Sequence, residues 1–438
     1  MDSPLQLRPY QQDAATFLYE RDRAMILAPV GAGKTAITLT AMVEMIRDGH
    51  AKRWIVLAPK RVCTTVWPVE QPKWAPDVSL AVAIGTPRQR QAAFDSDAQI
   101  VVTNYDNLPT VAHNCDRFDG IVFDELTRLK NPSGKRFKAL EKVIDKMTLR
   151  WGLTGSFTSN GLEDVFGQCK IIDQTLLGRA KGAFLQQYFI CINRDFGQWI
   201  PATHALEQVM ARIKPATYVL EPGEYTDTLP PLHVTEIRMP LEDRAPYEKM
   251  KREYVVSFNE DRVIAQNAAS VTTKLQQMAS GFVYNRESNT PVHWFSSHKF
   301  DRLEELLAEN QRANTLVWYT YQEELAELRR RFPYLQTSDD PDIVDRWNRG
   351  EVELLAAHPK SFGHGINLQG QQHMVFLSLP WSLELYEQAV GRLHRGGQKH
   401  AVWVYVMITD KTIDERIWGA LHDKRAVSDI ALEELKNG

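Results

Sequence analysis

The amino-acid sequence predicts an α/β protein built from two parallel-sheet domains. Short apolar runs of strand length recur in the first and last thirds of the chain, and segments with helical spacing separate them. These runs are apolar throughout, which is typical of parallel strands covered by helices on both faces. The 438 residues and the 43% hydrophobic content suffice for two or three domain cores.

Each third supplies its own set of predicted elements. In the first third the predicted strands are 24–29, 53–59, 98–104, 120–125 and 150–156. A helix is predicted over 35–49, where apolar residues recur at helical spacing and a glycine ends the pattern. In the last third the predicted strands are 315–320, 352–358, 373–379 and 401–408. The middle, about 160–297, is predicted to be helix-rich and irregular, with a linker at 221–233.

Composition excludes several protein classes. A net charge of −3 argues against bulk electrostatic binding to nucleic acid, but it leaves a local basic groove open. The four cysteines are scattered without zinc or disulfide spacing, which favours thiols in a reducing compartment. The N-terminus lacks a signal-peptide pattern, and no apolar run approaches the roughly 18 residues of a membrane span. We therefore expect a soluble protein of the cytoplasm that does not bind membranes.

A phosphate-binding loop is predicted at residues 28–35, "APVGAGKT", between a predicted strand and a predicted helix. Gly31 and Gly33 allow a tight turn whose N–H groups point at phosphate oxygens, and the following helix adds its positive dipole end. Lys34 is expected to reach the β- and γ-phosphates, and Thr35 is expected to offer its hydroxyl to Mg²⁺. A chance glycine-rich turn is the alternative interpretation.

An acidic pair ends the predicted strand "IVFDE" about ninety residues later. Asp124 could hold Mg²⁺ through water, and Glu125 could position and deprotonate an attacking water. Alone, two carboxylates after a strand more often begin a loop. Together with the phosphate loop they favour nucleotide hydrolysis.

The stretch "YEQAVGRLHRGGQ" (386–398) is predicted to form a helix with Ser382 as N-cap and Gly396-Gly397 as its stop. Its spacing would align Gln388, Arg392 and Arg395 on one face. The anion opposite this row is predicted to be the γ-phosphate of a nucleotide held by the first domain, because a planar guanidinium stabilises charge on a transferring phosphoryl group. Ordinary surface arginines are the alternative.

The ordered motifs resemble those of the Swi/Snf branch of superfamily 2 helicase-like ATPases, in a compact prokaryotic or phage form. The resemblance covers most of the chain, and its most specific parts are the basic-Leu-Lys-Asn tail after the acidic pair and the last motif. The matching segments are "LRPYQQ" (7–12), "APVGAGKT" (28–35), "VLAPKRVCTTVWPVEQPKW" (56–74), "VVTNYDNL" (101–108), "FDELTRLKNPSGK" (123–135), "LTGSFTSNGLEDVFG" (153–167), "SSHKFDRLEELL" (296–307), "LVWYTYQEEL" (316–325), "SFGHGINLQG" (361–370) and "WSLELYEQAVGRLHRGGQ" (381–398).

The resemblance implies two RecA-like domains with helical insertions, ATP and Mg²⁺ as cofactors, and a nucleic-acid partner, usually double-stranded DNA. The domain expected over 1–225 carries the phosphate loop and a helical protrusion near its C-terminal end. The linker and the protrusion of the second domain are expected over 226–298, and the second domain with its arginine fingers over 299–438. The implied function is a DNA-stimulated motor in DNA metabolism.

The resemblance also implies individual roles. The hydrolysis set is Lys34, Thr35, Asp124, Glu125, Gln388, Arg392 and Arg395. Thr154 and Ser156 would couple the nucleotide state to domain movement, and Gly363, Gly365 and Asn367 would lie near the cleft and the nucleic acid. Expected nucleotide-binding residues are Gln11 at the adenine edge, the loop Val30, Gly31, Ala32, Gly33, Lys34 and Thr35, and Gly365. Expected nucleic-acid contacts are Lys60, Thr103, Asn104, Tyr319 and Asn367.

Two departures from the family pattern keep alternatives open. Leu126 and Thr127 stand where the family usually has a small residue and histidine, and "LSLP" stands where an aspartate often precedes the tryptophan. A strand-separating DNA or RNA helicase is one alternative, and a nucleotide-gated nucleic-acid scaffold with little hydrolysis is another. The sequence identifies no partner nuclease or replication or repair protein.

Overall fold

A computed structural model describes residues 6–158, 161–193, 197–220, 229–258, 261–265, 267–285, 292–362 and 367–437. The chain divides into two compact units. The first unit contains residues 1–228 and 424–438, and the second contains residues 229–423.

The first unit is built on a seven-stranded parallel sheet with strand order β3-β4-β2-β5-β6-β1-β9. Its strands are β1 Arg23–Leu27, β2 Trp54–Ala58, β3 Leu80–Val82, β4 Ile100–Asn104, β5 Gly120–Asp124, β6 Leu149–Thr154 and β9 Thr217–Val219. Strands β2, β4, β5 and β6 are buried along their whole length, which agrees with their largely apolar sequences.

Helices and a hairpin surround this sheet. The helices are α1 Pro9–Tyr19, α2 Lys34–Arg47, α3 Lys60–Thr65, α4 Trp67–Trp74, α5 Pro87–Asp95, α6 Leu108–Asn114, α7 Lys135–Glu141, α8 Asp164–Ile172, α9 Gln174–Leu177, α10 Lys181–Tyr188 and α11 Ala205–Ile213. The antiparallel hairpin pairs β7 Phe189–Asn193 with β8 Gln198–Pro201. Short 3₁₀ turns span Tyr105–Asn107, Cys115–Arg117, Leu126–Leu129, Ile144–Lys146 and Lys214–Ala216.

The second unit contains a six-stranded parallel sheet with strand order β10-β19-β18-β15-β17-β16. Its strands are β10 Leu232–Met239, β15 Thr315–Trp318, β16 Gln336–Thr337, β17 Leu354–Ala357, β18 His373–Phe376 and β19 Val402–Thr409. Two small antiparallel sheets pair β11 Val255–Phe258 with β12 Asp261–Ile264, and β13 Phe282–Tyr284 with β14 Val292–Trp294.

The remaining helices are α12 Ala245–Glu253, α13 Ala268–Ala279, α14 His298–Glu309, α15 Gln322–Arg331, α16 Ile343–Asn348, α17 Pro359–Phe362, α18 Leu383–Val390 and α19 Ile413–Asn437. The last part of α19 belongs to the first unit, where Ala431 and Leu435 are buried in the core. Within the described segments, no helix has both the length and the apolar character required to cross a bilayer.

The predicted fold class is confirmed, and all nine predicted strands are present within about two residues of their predicted starts. Among the strands of the described segments, β3, β7 to β14 and β16 were not predicted. Of the predicted linker, residues 221–228 lie outside the described segments, whereas Leu232 and His233 begin β10. The unit division also differs from the predicted boundaries, because β10 joins the second sheet and residues 424–438 join the first unit.

The carboxylate of Glu324 in α15 is fully buried and serves as a structural centre of the second unit. It accepts hydrogen bonds from the Ser280 hydroxyl at 2.8 Å, the Ser378 hydroxyl at 3.0 Å and the backbone N–H groups of Thr320 and Tyr321 at 2.8 and 3.0 Å. Removing a buried acceptor leaves its donors unsatisfied. We expect Glu324→Ala to destabilise the second unit by about 3 kcal/mol.

Hydrogen exchange of the β15 amides measures this loss. The control is the exposed Glu305 of α14, which pairs with Arg302 at 3.2 Å. Glu305→Ala should change the free energy of unfolding by less than about 1 kcal/mol. Equal protection of β15 in both variants would contradict the role of Glu324.

His298 makes the stability of the second unit depend on pH. Burial, followed by the charge of Lys299, lowers the pKa of His298 to about 4. The unfolded chain therefore binds more protons than the folded one between about pH 6.5 and pH 4, and stability falls as the pH falls through this window. The total loss is at most about 3 kcal/mol. Urea unfolding at pH 7.5 and pH 4.5 measures this loss of stability. In His298→Gln the free energies of unfolding at the two pH values should differ less than in the wild type. A difference as large as that of the wild type would refute the role of His298.

Candidate functional site

The candidate site lies at the carboxyl edge of the first sheet. Strands β5, β6 and β1 are consecutive in that sheet, so the loops that follow them begin side by side. These loops carry the acidic pair, the "TGS" segment and the phosphate loop. Parallel sheets commonly bind ligands at this edge.

The phosphate loop has the backbone geometry that its glycines predict. Gly31 and Gly33 have φ values of 86° and 83°, in the left-handed region that favours glycine. Gly33 directly precedes Lys34, the first residue of α2, so the loop leads straight into the N-terminus of that helix. A Cβ on Gly33 would also come within 2.2 Å of the Gln11 amide nitrogen. Both the turn and the close approach therefore require glycine here.

The Lys34 ammonium is held by its own loop. It donates to the carbonyl oxygens of Ala28 at 2.7 Å and Pro29 at 3.0 Å. A phosphate group can replace these neutral acceptors with a charged one, which makes a stronger hydrogen bond. The carbonyl groups of the loop thus fix the position of the Lys34 ammonium.

Gln11 and Tyr10 support the loop from α1. The Gln11 amide nitrogen donates to the Ala32 carbonyl at 3.1 Å, and its side-chain oxygen accepts from the Arg8 backbone N–H at 2.9 Å. The Tyr10 hydroxyl donates to the same Ala32 carbonyl at 3.3 Å. These contacts tie α1 to the phosphate loop, whereas the expected contact of Gln11 with adenine stays a proposal.

Asp124 ends β5 and is 8% exposed. Burial raises the pKa of Asp124, whereas the hydrogen bond from Trp67 and the positive charge of Lys34 act in the opposite direction.

Glu125 has a left-handed backbone, with φ 65° and ψ 64°. The next residue is Leu126, at a position where the Swi/Snf branch usually has a small residue. Its side chain is fully buried. Space for it comes from Gly152 in β6, where an added Cβ would lie 2.6 Å from the Leu126 Cδ2. The departure in the acidic motif is therefore compensated by a glycine on the neighbouring strand.

The segment after β6 is connected to the phosphate loop through the backbone. The Ala28 N–H donates to the Thr154 carbonyl at 3.0 Å. The Thr154 hydroxyl donates to the Ser156 carbonyl at 2.8 Å, and both side chains are buried. A shift of this segment would therefore act directly on the start of the phosphate loop.

The predicted nucleic-acid contacts of the first unit differ in their exposure. Lys60 begins α3 and is exposed. Asn104 is 8% exposed, and its amide donates to the Asp106 carboxylate at 3.2 Å. Thr103 is fully buried and donates to the Ala83 carbonyl at 2.8 Å, so the structure does not favour it as a direct contact.

In the second unit, the predicted helix with the polar row is shorter than expected. The Ser382 N-cap is confirmed, since its hydroxyl accepts from the Leu385 N–H at 3.4 Å. The helix α18, however, ends at Val390, not at Gly396-Gly397. Gly391 favours termination, and the Arg392 carbonyl accepts from the Leu368 N–H at 3.1 Å, outside the helix. The prediction of one continuous helical row was therefore wrong.

The individual residues of this motif are largely buried. Gln388 is 3% exposed and donates to Glu384 Oε1 at 3.2 Å, and Arg392 is 4% exposed. Arg395 lies beyond the helix and is half-buried.

Among the other predicted residues of the second unit, Tyr319 is buried, with its ring edge-on to His358 at 5.7 Å. The Asn367 side-chain oxygen accepts from the Gln369 N–H at 3.2 Å. Gly363 and Gly365 lie outside the described residues.

Two residues at the site were not predicted as functional. Trp67 is buried, and its indole N–H donates to Asp124 Oδ2 at 3.0 Å. Tyr105 directly follows β4 and donates to the Asp124 carbonyl at 2.9 Å. A signal was present in the sequence, since both residues follow predicted strands of the same sheet, but the strand order was needed to interpret it.

Comparison with known proteins identifies the family of this chain. Residues 10–279 match the SNF2-related domain, and residues 298–397 match the helicase conserved C-terminal domain. The chain is 34% identical to "Putative protein p41" of Acyrthosiphon pisum secondary endosymbiont phage 1, over 98% of each protein. It is 24% identical to "Putative ATP-dependent helicase/translocase YwqA" of Bacillus subtilis, over 97% of this chain and 48% of that protein.

The chain thus spans the phage protein but only about half of the Bacillus protein. Among solved structures, it is similar to "Sulfolobus solfataricus SWI2/SNF2 ATPase core in complex with dsDNA", with a TM-score of 0.47, 20% identity and coverage of 98% of this chain and 94% of that one. Because the first domain match covers more than half of the sequence and the phage protein aligns over almost all of it, the chain belongs to the SNF2-related family.

Proposed function

We propose that this protein is an ATP-dependent motor that is stimulated by DNA and moves along duplex DNA. The observation that carries the ATPase assignment is the phosphate loop that follows β1, with Gly31 and Gly33 in the left-handed conformation and the Lys34 ammonium held at the loop, in the same sheet as β5, which ends in Asp124. This arrangement combines an anion-binding loop with a carboxylate suited to a phosphate-bound cation.

The first unit contains the groups for binding and hydrolysis. Lys34 binds the β- and γ-phosphates, and Glu125 orients and deprotonates the attacking water. Thr35 and Asp124 would hold Mg²⁺, whose preferred ligands are hydroxyl and carboxylate oxygens like theirs. When bound, Mg²⁺ neutralises charge on the phosphate oxygens. The remaining loop residues Val30 and Ala32 bind phosphate through their backbone.

Further members of the proposed hydrolysis set come from the second unit. Arg392 and Arg395 stabilise the charge that spreads over the transferring phosphoryl group, and Gln388 orients the reacting groups. Gly365 is proposed as a further nucleotide contact and Gln11 as the contact to the adenine edge.

The proposal of DNA as the partner rests on the resemblance of the ordered motifs to the Swi/Snf branch, in which duplex translocation is usual. The name of the Bacillus relative, ATP-dependent helicase/translocase, supports the ATP-driven motor but does not specify DNA. Lys60 is exposed at the start of α3, where an ammonium can contact the phosphate backbone. Asn104 and Asn367 are the further proposed contacts. The similarity to a phage protein supports action in the bacterial cytoplasm.

ATPase rates with no nucleic acid, single-stranded DNA, duplex DNA and RNA test this function. We expect the highest rate with duplex DNA, and we expect the apparent DNA affinity to fall when salt is raised, because phosphate contacts release counterions. Equal rates in all four conditions would contradict a DNA-stimulated motor. Absence of hydrolysis in all four would favour the nucleotide-gated scaffold, against which the presence of Lys34, Asp124, Glu125 and Arg392 argues.

A strand-separating helicase is the nearest alternative. Displacement of a third strand from a triplex without unwinding of forked duplexes would support translocation. Efficient unwinding of forks would favour the helicase instead.

A further inference from the structure

Two side chains outside the proposed hydrolysis set contact its acidic pair. Trp67 is the first residue of α4, which follows β2, and its ring is fully buried. Its indole N–H donates to Asp124 Oδ2 at 3.0 Å. A hydrogen bond from a buried donor to a carboxylate is charge-assisted, so it restricts the rotation of that carboxylate.

The second contact acts on the backbone. Tyr105 is 4% exposed, and its hydroxyl lies 2.9 Å from the Asp124 carbonyl oxygen and 3.3 Å from the Glu125 carbonyl oxygen. These carbonyls belong to the two peptide groups on either side of the Glu125 Cα. Burial, and then the charges of Asp124 and Glu125, raise the pKa of Tyr105 well above its ordinary value, so the phenol remains a donor.

The conformation of Glu125 explains why such a contact matters. Its φ of 65° is uncommon for a residue with a side chain and costs on the order of 1–2 kcal/mol. A strained residue keeps its conformation only when its surroundings hold it there. The Tyr105 hydroxyl, shared between the two adjoining peptide groups, supplies such a constraint. It thereby sets the direction in which the Glu125 side chain leaves the strand.

We propose that Trp67 and Tyr105 are positioning residues for hydrolysis, Trp67 by orienting the Asp124 carboxylate and Tyr105 by holding the backbone of Glu125. The inference rests on the proposed ATPase function of the acidic pair. It assigns a role to the segments that follow β2 and β4, which carry no member of the proposed hydrolysis set.

Tyr105→Phe tests the backbone contact, because it removes only the hydroxyl. A general base displaced by a fraction of an ångström to 1 Å loses up to about 100-fold in rate. We therefore expect kcat to fall about 10- to 100-fold, with KM for ATP unchanged. The control is Tyr188→Phe, which removes another buried phenol of the first unit and should leave kcat unchanged.

A double variant distinguishes a positioning effect of Tyr105 on Glu125 from a general disturbance of the first unit. In the Glu125→Gln background there is no general base to position, so adding Tyr105→Phe should lower the residual rate less than twofold. Wild-type kcat in Tyr105→Phe, or an equal fall in both backgrounds, would overturn the role of Tyr105.

Trp67→Phe tests the carboxylate contact. Loss of an outer-shell hydrogen bond typically weakens metal affinity 10- to 100-fold, so half-maximal activity should require about tenfold more Mg²⁺. Binding of a fluorescent ATP analogue supplies a readout without turnover: Trp67→Phe should lower the affinity in Mg²⁺ but not in EDTA. The control is Trp151→Phe, a fully buried tryptophan whose indole donates to the Arg21 carbonyl at 3.0 Å.

An unchanged Mg²⁺ requirement in Trp67→Phe, or an equal loss of affinity in Mg²⁺ and in EDTA, would overturn the role of Trp67. These outcomes differ from failure of the ATPase proposal itself. An inactive wild-type chain refutes the proposed function, whereas an active wild type with unaffected variants refutes only the positioning roles.

Discussion

Replacing Glu125 with glutamine is expected to lower ATP hydrolysis by about 100- to 10,000-fold while ATP binding is retained. The amide has nearly the shape of the carboxylate, but it cannot take a proton from the attacking water. The left-handed backbone at this position is equally unfavourable for glutamine and for glutamate. The substitution therefore changes the ability to accept a proton and not the backbone strain. Steady-state hydrolysis and the affinity for a fluorescent ATP analogue measure the two effects.

The exposed Glu207 on α11 provides a matched control, since its side chain is 60% exposed. Glu207→Gln should hydrolyse ATP at the wild-type rate. If Glu125→Gln did the same, another residue would have to be the general base.

Replacing Arg392 with lysine is expected to lower kcat about a thousandfold or more, with little change in ATP affinity. An arginine that stabilises a transferring phosphoryl group contributes about 1,000- to 100,000-fold to the rate, and the point charge of lysine does not reproduce its planar fork. The Arg392 carbonyl, which accepts from the Leu368 N–H, is preserved in this variant. Single-turnover hydrolysis with prebound ATP measures the chemical step.

Arg349→Lys is the corresponding control, because Arg349 is 58% exposed and pairs with Glu351 on the surface of the second unit. Its kcat should stay within twofold of the wild type. Wild-type turnover in both Arg392→Lys and Arg392→Ala would remove this arginine from the hydrolysis set.

The sequence predicted the sheets well because their strands are buried on both faces. β2 and β5 are buried at every position, and each carries at least three consecutive large apolar residues. The phosphate loop and the acidic pair were also predicted, because each needs a particular residue type at a fixed distance from a strand end.

Other features depend on tertiary contacts. Most residues of β10 are exposed, so its sequence lacks the apolar run, and it becomes a strand by pairing with β19. The helix α18 ends at Val390, and the Arg392 carbonyl beyond it accepts from the Leu368 N–H, a contact that helical spacing does not reveal.

The contacts of Trp67 and Tyr105 with the acidic pair join residues 57 and 19 positions apart. Neither separation is a recognisable spacing, and the sheet order alone brings these residues together. Residue types were therefore sufficient to propose the hydrolysis set, whereas the proposed positioning residues could be identified only from the structure.

The first unit is formed by two segments that are far apart in the sequence, and this affects its folding during synthesis. Ala431 and Leu435 complete a core that residues 1–228 begin, yet the ribosome makes them only after residues 229–423. At ordinary translation speeds that delay is on the order of 10 to 40 s. During this interval the nascent chain carries uncovered apolar surface, so its yield in the cell should depend on chaperones that shield it.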